Sequence, residues 1–108
     1  MAGRVESVGR NVTQFKPGDE VFGTCRGTFA EYVCSSESGA VMKSVLVAKP
    51  ENVTFEQAAS APIAALTALQ GLRDKGQIQT GQRVLINGAA GGVGTFAVQI
   101  AKDLSHNK

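Results

Sequence analysis

The stretch from Arg83 to Leu104 constrains what this chain can fold into more than any other. Arg83-Val84-Leu85-Ile86-Asn87 is short, aliphatic and β-branched, the composition of a buried strand. It runs straight into Gly88-Ala89-Ala90-Gly91-Gly92-Val93-Gly94, in which six of the seven residues are glycine or alanine. An amphipathic stretch from Val93 to Leu104 follows with helical spacing. Strand, small-residue turn and helix in that order make the opening of a βαβ unit.

That context gives the glycines a chemical meaning which a bare glycine pattern lacks. Without β-carbons at Gly91 and Gly92 the main chain can approach a diphosphate, and Gly94 lets the helix pack tightly on the strand. The helix N-terminus then offers unpaired N–H groups and a partial positive charge to the anion. The candidate cofactor-binding residues are therefore Asn87, Gly88, Ala89, Ala90, Gly91, Gly92, Val93 and Gly94. Against the pattern G-x-G-x-x-G, Ala89 stands where the first glycine is expected, and Asn87 could equally just end the strand. The competing reading is a glycine-rich turn that binds nothing. A Walker A loop is excluded, because no Gly-Lys-Ser or Gly-Lys-Thr follows. Gly88, Gly92 and Gly94 also read as the G-x-x-x-G-x-G turn of short-chain dehydrogenases. Those enzymes carry that turn near the N-terminus with a Tyr-x-x-x-Lys pair downstream, whereas Tyr32 here lies upstream with Ser36 four residues later.

The remaining composition mostly excludes. The 11 basic and 9 acidic residues of the 108 are scattered and leave a formal charge of +2, so neither nucleic acid nor an anionic membrane is expected as a partner. No stretch reaches the apolar length of a membrane helix, and the N-terminus lacks the apolar run of a signal peptide. Cys25 and Cys34 have no second pair and no nearby histidine, which is neither a zinc spacing nor a disulfide framework. A reducing, cytoplasmic setting is the expectation.

Residues 2–48 read as short β-strands. Apolar and polar residues alternate in Val5-Glu6-Ser7-Val8 and in Phe29-Ala30-Glu31-Tyr32-Val33-Cys34. Gly9-Arg10-Asn11 and Lys16-Pro17-Gly18-Asp19 supply tight turns between them, as in a small antiparallel barrel or sandwich. From residue 53 the pattern becomes helical. Thr54 and Gln57 form a candidate capping box, and a second helix is expected to start at Pro62 and run through Ile63, Leu66, Leu69 and Leu72 to a stop at Gly76. The alanines at 58, 59, 61, 64, 65 and 68 predict close packing against another backbone. Tyr32 is expected to cover a sheet face, Cys25 and Cys34 to be strand or loop thiols without a catalytic role, and His106 to be solvated.

Four ordered stretches resemble the quinone-oxidoreductase-like, zinc-independent branch of the medium-chain dehydrogenase/reductase superfamily, to which the zinc alcohol dehydrogenases also belong. Ala2 to Gly9 followed by Phe15 to Gly23 resembles barrel strands of the family's GroES-like domain, and Gly27 to Val33 resembles its next strand. Ala61 to Leu69 is similar to the helix linking the two domains. Asn87 to Lys102 is similar to the first turn and helix of the nucleotide domain.

The resemblance implies an α/β chain: a partial GroES-like β-domain over 1–52, connecting helices over 53–79, and the start of a Rossmann domain over 80–108. It implies an internal fragment, with barrel strands preceding Met1 and most of the Rossmann sheet following Lys108. The residue that reads the adenosine ribose lies roughly twenty positions past the glycine turn, and the chain ends 14 residues after Gly94. NADPH is the cofactor implied, with NADH the alternative, and a quinone or enone is the small-molecule substrate of hydride transfer. Thr67 matches a hydroxyl at the family's domain junction and is a candidate contact to the nicotinamide or ribose. The alternative for Thr67 is a hydroxyl bonded to the carbonyl four residues back. Zinc is not expected, since Ile63 stands near the position where zinc-dependent relatives place a ligand cysteine. A homodimer is usual in the family. Gly39 to Val45 reads as an insertion, with Ala40 to Lys43 resembling a second copy of Leu46 to Lys49. Two alternatives remain: a non-catalytic truncated fragment or binding module, and an alcohol dehydrogenase of the same superfamily.

Overall fold

The computed structural model describes residues 1–37 and 45–106. The chain is a mixed α/β structure with a three-stranded sheet and two main helices, divided into two compact units, Met1–Pro62 and Ile63–Lys108.

In the first unit, β1 (Ala2–Arg4), β2 (Glu20–Thr24) and β3 (Val45–Ala48) form an antiparallel sheet in the order β1-β2-β3. Ala2 pairs with Phe22 and Arg4 with Glu20, while Val21 faces Ala48 and Thr24 faces Val45. Val21 and Gly23 are buried, two residues apart and hence on one face of β2.

Two predicted strands are corrected. The first strand lies at Ala2–Arg4 rather than at residues 5–8. Val5 closes the ladder, donating to the Asp19 carbonyl at 2.9 Å and accepting from the Gly18 amide at 2.8 Å. Beyond it the partner chain bends away in the predicted turn, with Asp19 N bonded to Lys16 O at 3.1 Å and Gly18 at φ +94°. Residues 6–8 therefore have nothing to pair with among the described residues. The second predicted strand, Phe29 to Cys34, is irregular, and Phe29 and Tyr32 are exposed rather than laid on a sheet face. Alternation makes a strand only where a neighbour supplies ladder bonds, and among the described residues none lies beside this segment. Of the apparent insertion, residues 39–44 lie outside the described residues, while Val45 opens β3.

Lys49 ties the sheet to the helix that follows. Its side chain is only 5% exposed, with Nζ 3.0 Å from Glu20 Oε2. The same ammonium donates to Pro50 O at 3.0 Å and Val53 O at 2.8 Å, and lies 5.2 Å from the Phe55 ring centroid. Three acceptors satisfy three N–H groups, which is the condition for keeping a charge at this depth.

Helix α1 spans Phe55–Leu69 and opens on the expected capping box. Thr54 N donates to Gln57 Oε1 at 2.9 Å and Gln57 N to Thr54 Oγ1 at 3.2 Å. The expected second helix start at Pro62 is not observed, because Pro62 sits inside one continuous helix. Its ring already has a helical φ, and the missing N–H costs a single bond, to Ala58 O, in a segment otherwise rich in alanine. Ile63 is 73% and Leu66 52% exposed, whereas Ala58 and Ala68 are buried. Ala58, Ala61, Ala65 and Ala68 follow i, i+3, i+7, i+10 spacing, so the small side chains carry the packed face. Past Leu69 the helix widens into a π-helical stretch, Gln70–Lys75, ended at Gly76, whose N–H reaches Gly71 O at 2.8 Å. A β-carbon at Gly76 would lie 3.0 Å from that oxygen.

Two outcomes follow for stability. A β-carbon on Gly23 would stand 1.8 Å from Val45 O, so Gly23→Ala is expected to destabilise by more than about 2 kcal/mol, read in denaturant unfolding. The Glu20 carboxyl is held below its ordinary value of 4.5, chiefly by its bond from Arg4 and next by that from Lys49. A depressed folded pKa means that the stabilisation is full above 4.5 and is lost as pH falls through the folded value. Glu20→Gln should therefore flatten the acid limb of a pH-dependent unfolding curve relative to the parent sequence.

Candidate functional site

The small-residue turn before the last helix forms its own local structure in the second unit. Helix α2 spans Gly92–His106. Its entry is a tight turn in which Gly88 takes φ +73° and Gly91 N donates to Gly88 O at 3.0 Å. The first helical bond runs from Thr95 N to Gly91 O at 2.9 Å. The amides of Gly92, Val93 and Gly94 therefore have no acceptor within the helix, and they mark its positive end.

The glycines divide into two kinds. Gly94 is buried, and a β-carbon there would lie 2.3 Å from Gly88 O and 2.7 Å from Ala89 Cα. The close approach expected of Gly94 is thus made against the turn itself. Gly92 is exposed and a β-carbon on it would meet nothing within 4 Å, while one on Gly91 would make ordinary contact with Gly88 O at 3.4 Å. The packing of the chain requires glycine at 94, leaves open space in front of 92, and puts only an ordinary contact at 91. Ala89, Ala90 and Val93 are exposed around the same turn, as is Asn87 at its start.

Arg83 to Asn87 is not assigned as a strand, and no partner strand lies beside it among the described residues. Its burial nonetheless alternates, with Val84 and Ile86 half-buried and Leu85 95% exposed. Val84 and Ile86 face a shallow hollow of about 340 Å³ shared with Ala89, Val98, Ala101, Lys102 and Ser105. This hollow runs along the flank of α2 and not across its N-terminal amides. A turn precedes this segment, with Gln82 N bonded to Gln79 O at 3.1 Å, and Gly81 N donates to Ser105 O at 3.1 Å.

Thr67 is exposed on α1 and its hydroxyl donates to Ile63 O at 2.7 Å, the local bond weighed against a ligand role. The hydroxyl oxygen keeps acceptor capacity. His106 is exposed at the end of α2, with Nδ1 2.8 Å from Lys102 O. No group of three metal-ligating side chains occurs among the described residues, and none of their helices is long and apolar enough to cross a membrane. The feature that residue spacing alone did not single out is the bonded, buried Lys49, because its partners are two backbone carbonyls and a residue 29 positions away.

Residues 1–48 match the family model described as the alcohol dehydrogenase GroES-like domain. The human NAD(P)H oxidoreductase RTN4IP1, mitochondrial, is 42% identical over 94% of this chain. The solved quinone oxidoreductase from Coxiella burnetii is 38% identical over 97% of the chain, with a TM-score of 0.84. A mycobacterial protein solved in complex with NADPH is 32% identical over 97%, with a TM-score of 0.68. The chain spans 26%, 30% and 32% of those three proteins, respectively.

Gly94→Val is expected to displace the turn and lower stability by more than about 2 kcal/mol, whereas Gly92→Ala should stay within about 0.5 kcal/mol of the parent sequence. Thermal melts of the two variants check this contrast, and equal effects would contradict the division of the glycines.

Proposed function

The chain belongs to the quinone-oxidoreductase and enoyl-reductase-like branch of the medium-chain dehydrogenase/reductase superfamily, and from this we propose that a full-length protein containing it is an NAD(P)H-dependent reductase of quinones or enones. In that reading residues 1–52 belong to a GroES-like β-domain, 53–79 connect, and 80–108 begin a Rossmann domain whose first strand is Arg83 to Asn87. The observation that carries the proposal is the pairing of three amides without a helical acceptor, at Gly92, Val93 and Gly94, with open space in front of Gly92. Unpaired donors at the positive end of a helix fit a diphosphate, and the absent β-carbons let it come within bonding distance.

NADPH is the proposed cofactor, with NADH the alternative; the chemistry it supplies when bound is a hydride from its nicotinamide ring. The chain's own residues bind and orient. Gly88, Ala89 and Ala90 shape the turn, the amides at 92–94 hold the diphosphate, and Asn87 stands at the turn's entrance. Thr67 would accept a bond from the ribose or from the carboxamide beside the nicotinamide, its own proton being committed to Ile63 O. No side chain among the described residues is assigned to proton delivery, which falls to solvent or a polar group, and no zinc is part of the proposal. The full-length protein would act as a homodimer.

A second reading applies to these 108 residues taken alone, favoured by the unpaired segment 83–87. A single parallel strand without a neighbour does not complete a cofactor pocket. The segment by itself is then a non-catalytic fragment or a binding module.

Titration of the full-length protein with NADPH, followed by nicotinamide fluorescence, is expected to saturate, and a quinone should then oxidise the bound cofactor. Gly92→Glu places a carboxylate where the diphosphate would lie. It should weaken NADPH binding at least tenfold, about 1.4 kcal/mol, with no fall in melting temperature, since acidic residues suit a helix N-terminus. Unchanged NADPH affinity in that variant would remove the turn from the cofactor site.

A further inference from the structure

Cys25 and Cys34 are the chain's two cysteines, and both are free thiols. Nine positions apart, they do not form a motif in the sequence. In the fold, Cys25 follows directly on β2, and its Sγ lies 3.8 Å from the carbonyl oxygen of Cys34. The β-carbon of a residue stands about 3 Å from its own carbonyl oxygen, so the Cys25 sulfur already lies against the backbone that carries the second thiol. Cys34 is exposed and Cys25 partly so, which gives an oxidant access to either sulfur.

We infer that Cys25 and Cys34 form a redox couple, closing to an intramolecular disulfide across the loop 26–33 when the protein meets a peroxide. Bonding requires the two Cα atoms to settle about 5.5 Å apart with a torsion near 90°, and the loop is built to allow that adjustment. Residues 25–36 lie in no helix or strand, and Gly27 takes φ +73° in open space. The ends of this loop are held. Cys25 continues from Thr24, which is paired to Val45 in the sheet. On the other side the Glu37 carboxylate accepts the amides of Thr13, at 2.7 Å, and of Gln14. Adjustment therefore falls on the loop, and the loop carries the exposed rings of Phe29 and Tyr32.

The chemistry balances with a peroxide as the named oxidant. The exposed Cys34 thiolate attacks one peroxide oxygen, the O–O bond breaks, and a sulfenic acid forms with release of one water after proton uptake. The Cys25 thiolate then attacks the Cys34 sulfur, forms the S–S bond and expels the hydroxyl as a second water. Two thiols are oxidised by two electrons, and one peroxide is reduced to two waters.

Trypsin reads the outcome directly. Cleavage after Arg26 and resistance at Lys16-Pro17 put Cys25 in peptide 11–26 and Cys34 in peptide 27–43. The full-length protein is treated with a small excess of hydrogen peroxide, alkylated under denaturing conditions, digested and examined by mass spectrometry. The two peptides should appear covalently joined, at about 2 Da below the sum of their thiol forms. Dithiothreitol should separate them, and Cys25→Ser should abolish the joined species while Cys34 accumulates as sulfenic acid trapped by dimedone. Full alkylation of both cysteines after peroxide, or oxidation of each to sulfinic acid without joining, would overturn the couple. The readout needs no cofactor, so it stands or falls apart from the reductase activity proposed above.

Discussion

The absent β-carbon of Gly94 sets the entry of α2, and the arrangement of the candidate site follows from it. With Gly88 O 2.3 Å and Ala89 Cα 2.7 Å from where that carbon would be, the first helical turn sits directly on the turn that leads into it. Such contact orients the unbonded amides of Gly92, Val93 and Gly94 as a group. Gly91 and Gly92 meet no such crowding, so their lack of side chains serves no packing purpose visible in the described residues. A site of this kind is made from main-chain donors and empty space, with the helix supplying the charge. Diphosphate recognition asks for nothing more elaborate at this point of the fold.

In the other unit a charge serves as the joint. Lys49 comes just after β3 and just before α1, and its ammonium is shared among Glu20 on β2 and the carbonyls of Pro50 and Val53. Glu20 in turn takes the Arg4 guanidinium of β1 at 2.8 Å. One carboxylate thus links cations from two other segments of the sheet region, and Lys49 carries that linkage into the loop before the helix. Burial of the lysine is tolerated because each N–H finds an acceptor and its charge lies over the Phe55 ring.

The parts of the fold legible in the sequence were those whose causes are local. The Lys16–Asp19 turn needs a proline followed by a residue that accepts positive φ. The capping box needs a hydroxyl three residues before an amide, and the Gly88–Gly94 turn needs small residues between a strand-like and a helical segment. Misplaced elements were the ones whose causes lie elsewhere in the chain. Val5 to Val8 alternates well, yet past Val5 the paired segment turns away at Gly18. Phe29 to Cys34 alternates equally well and has no neighbour among the described residues. Pro62 looked like a helix start because proline suits one, but the alanines around it carry the helix straight through. The role of Lys49 is not legible in the sequence, because nothing within a few residues of it announces a carboxylate 29 positions upstream.

What the sequence by itself determined is therefore the set of short-range conformations: where glycine must bend the chain, where a side chain caps a helix, and where the amides of α2 are left unpaired. Those depend on covalent geometry and on partners only a few residues away. The tertiary structure alone decided which alternating segments became strands, which face of α1 packed, and which glycine was sterically required. Each of these depends on what another part of the chain brings alongside, and that proximity is not written in the spacing of neighbouring residues.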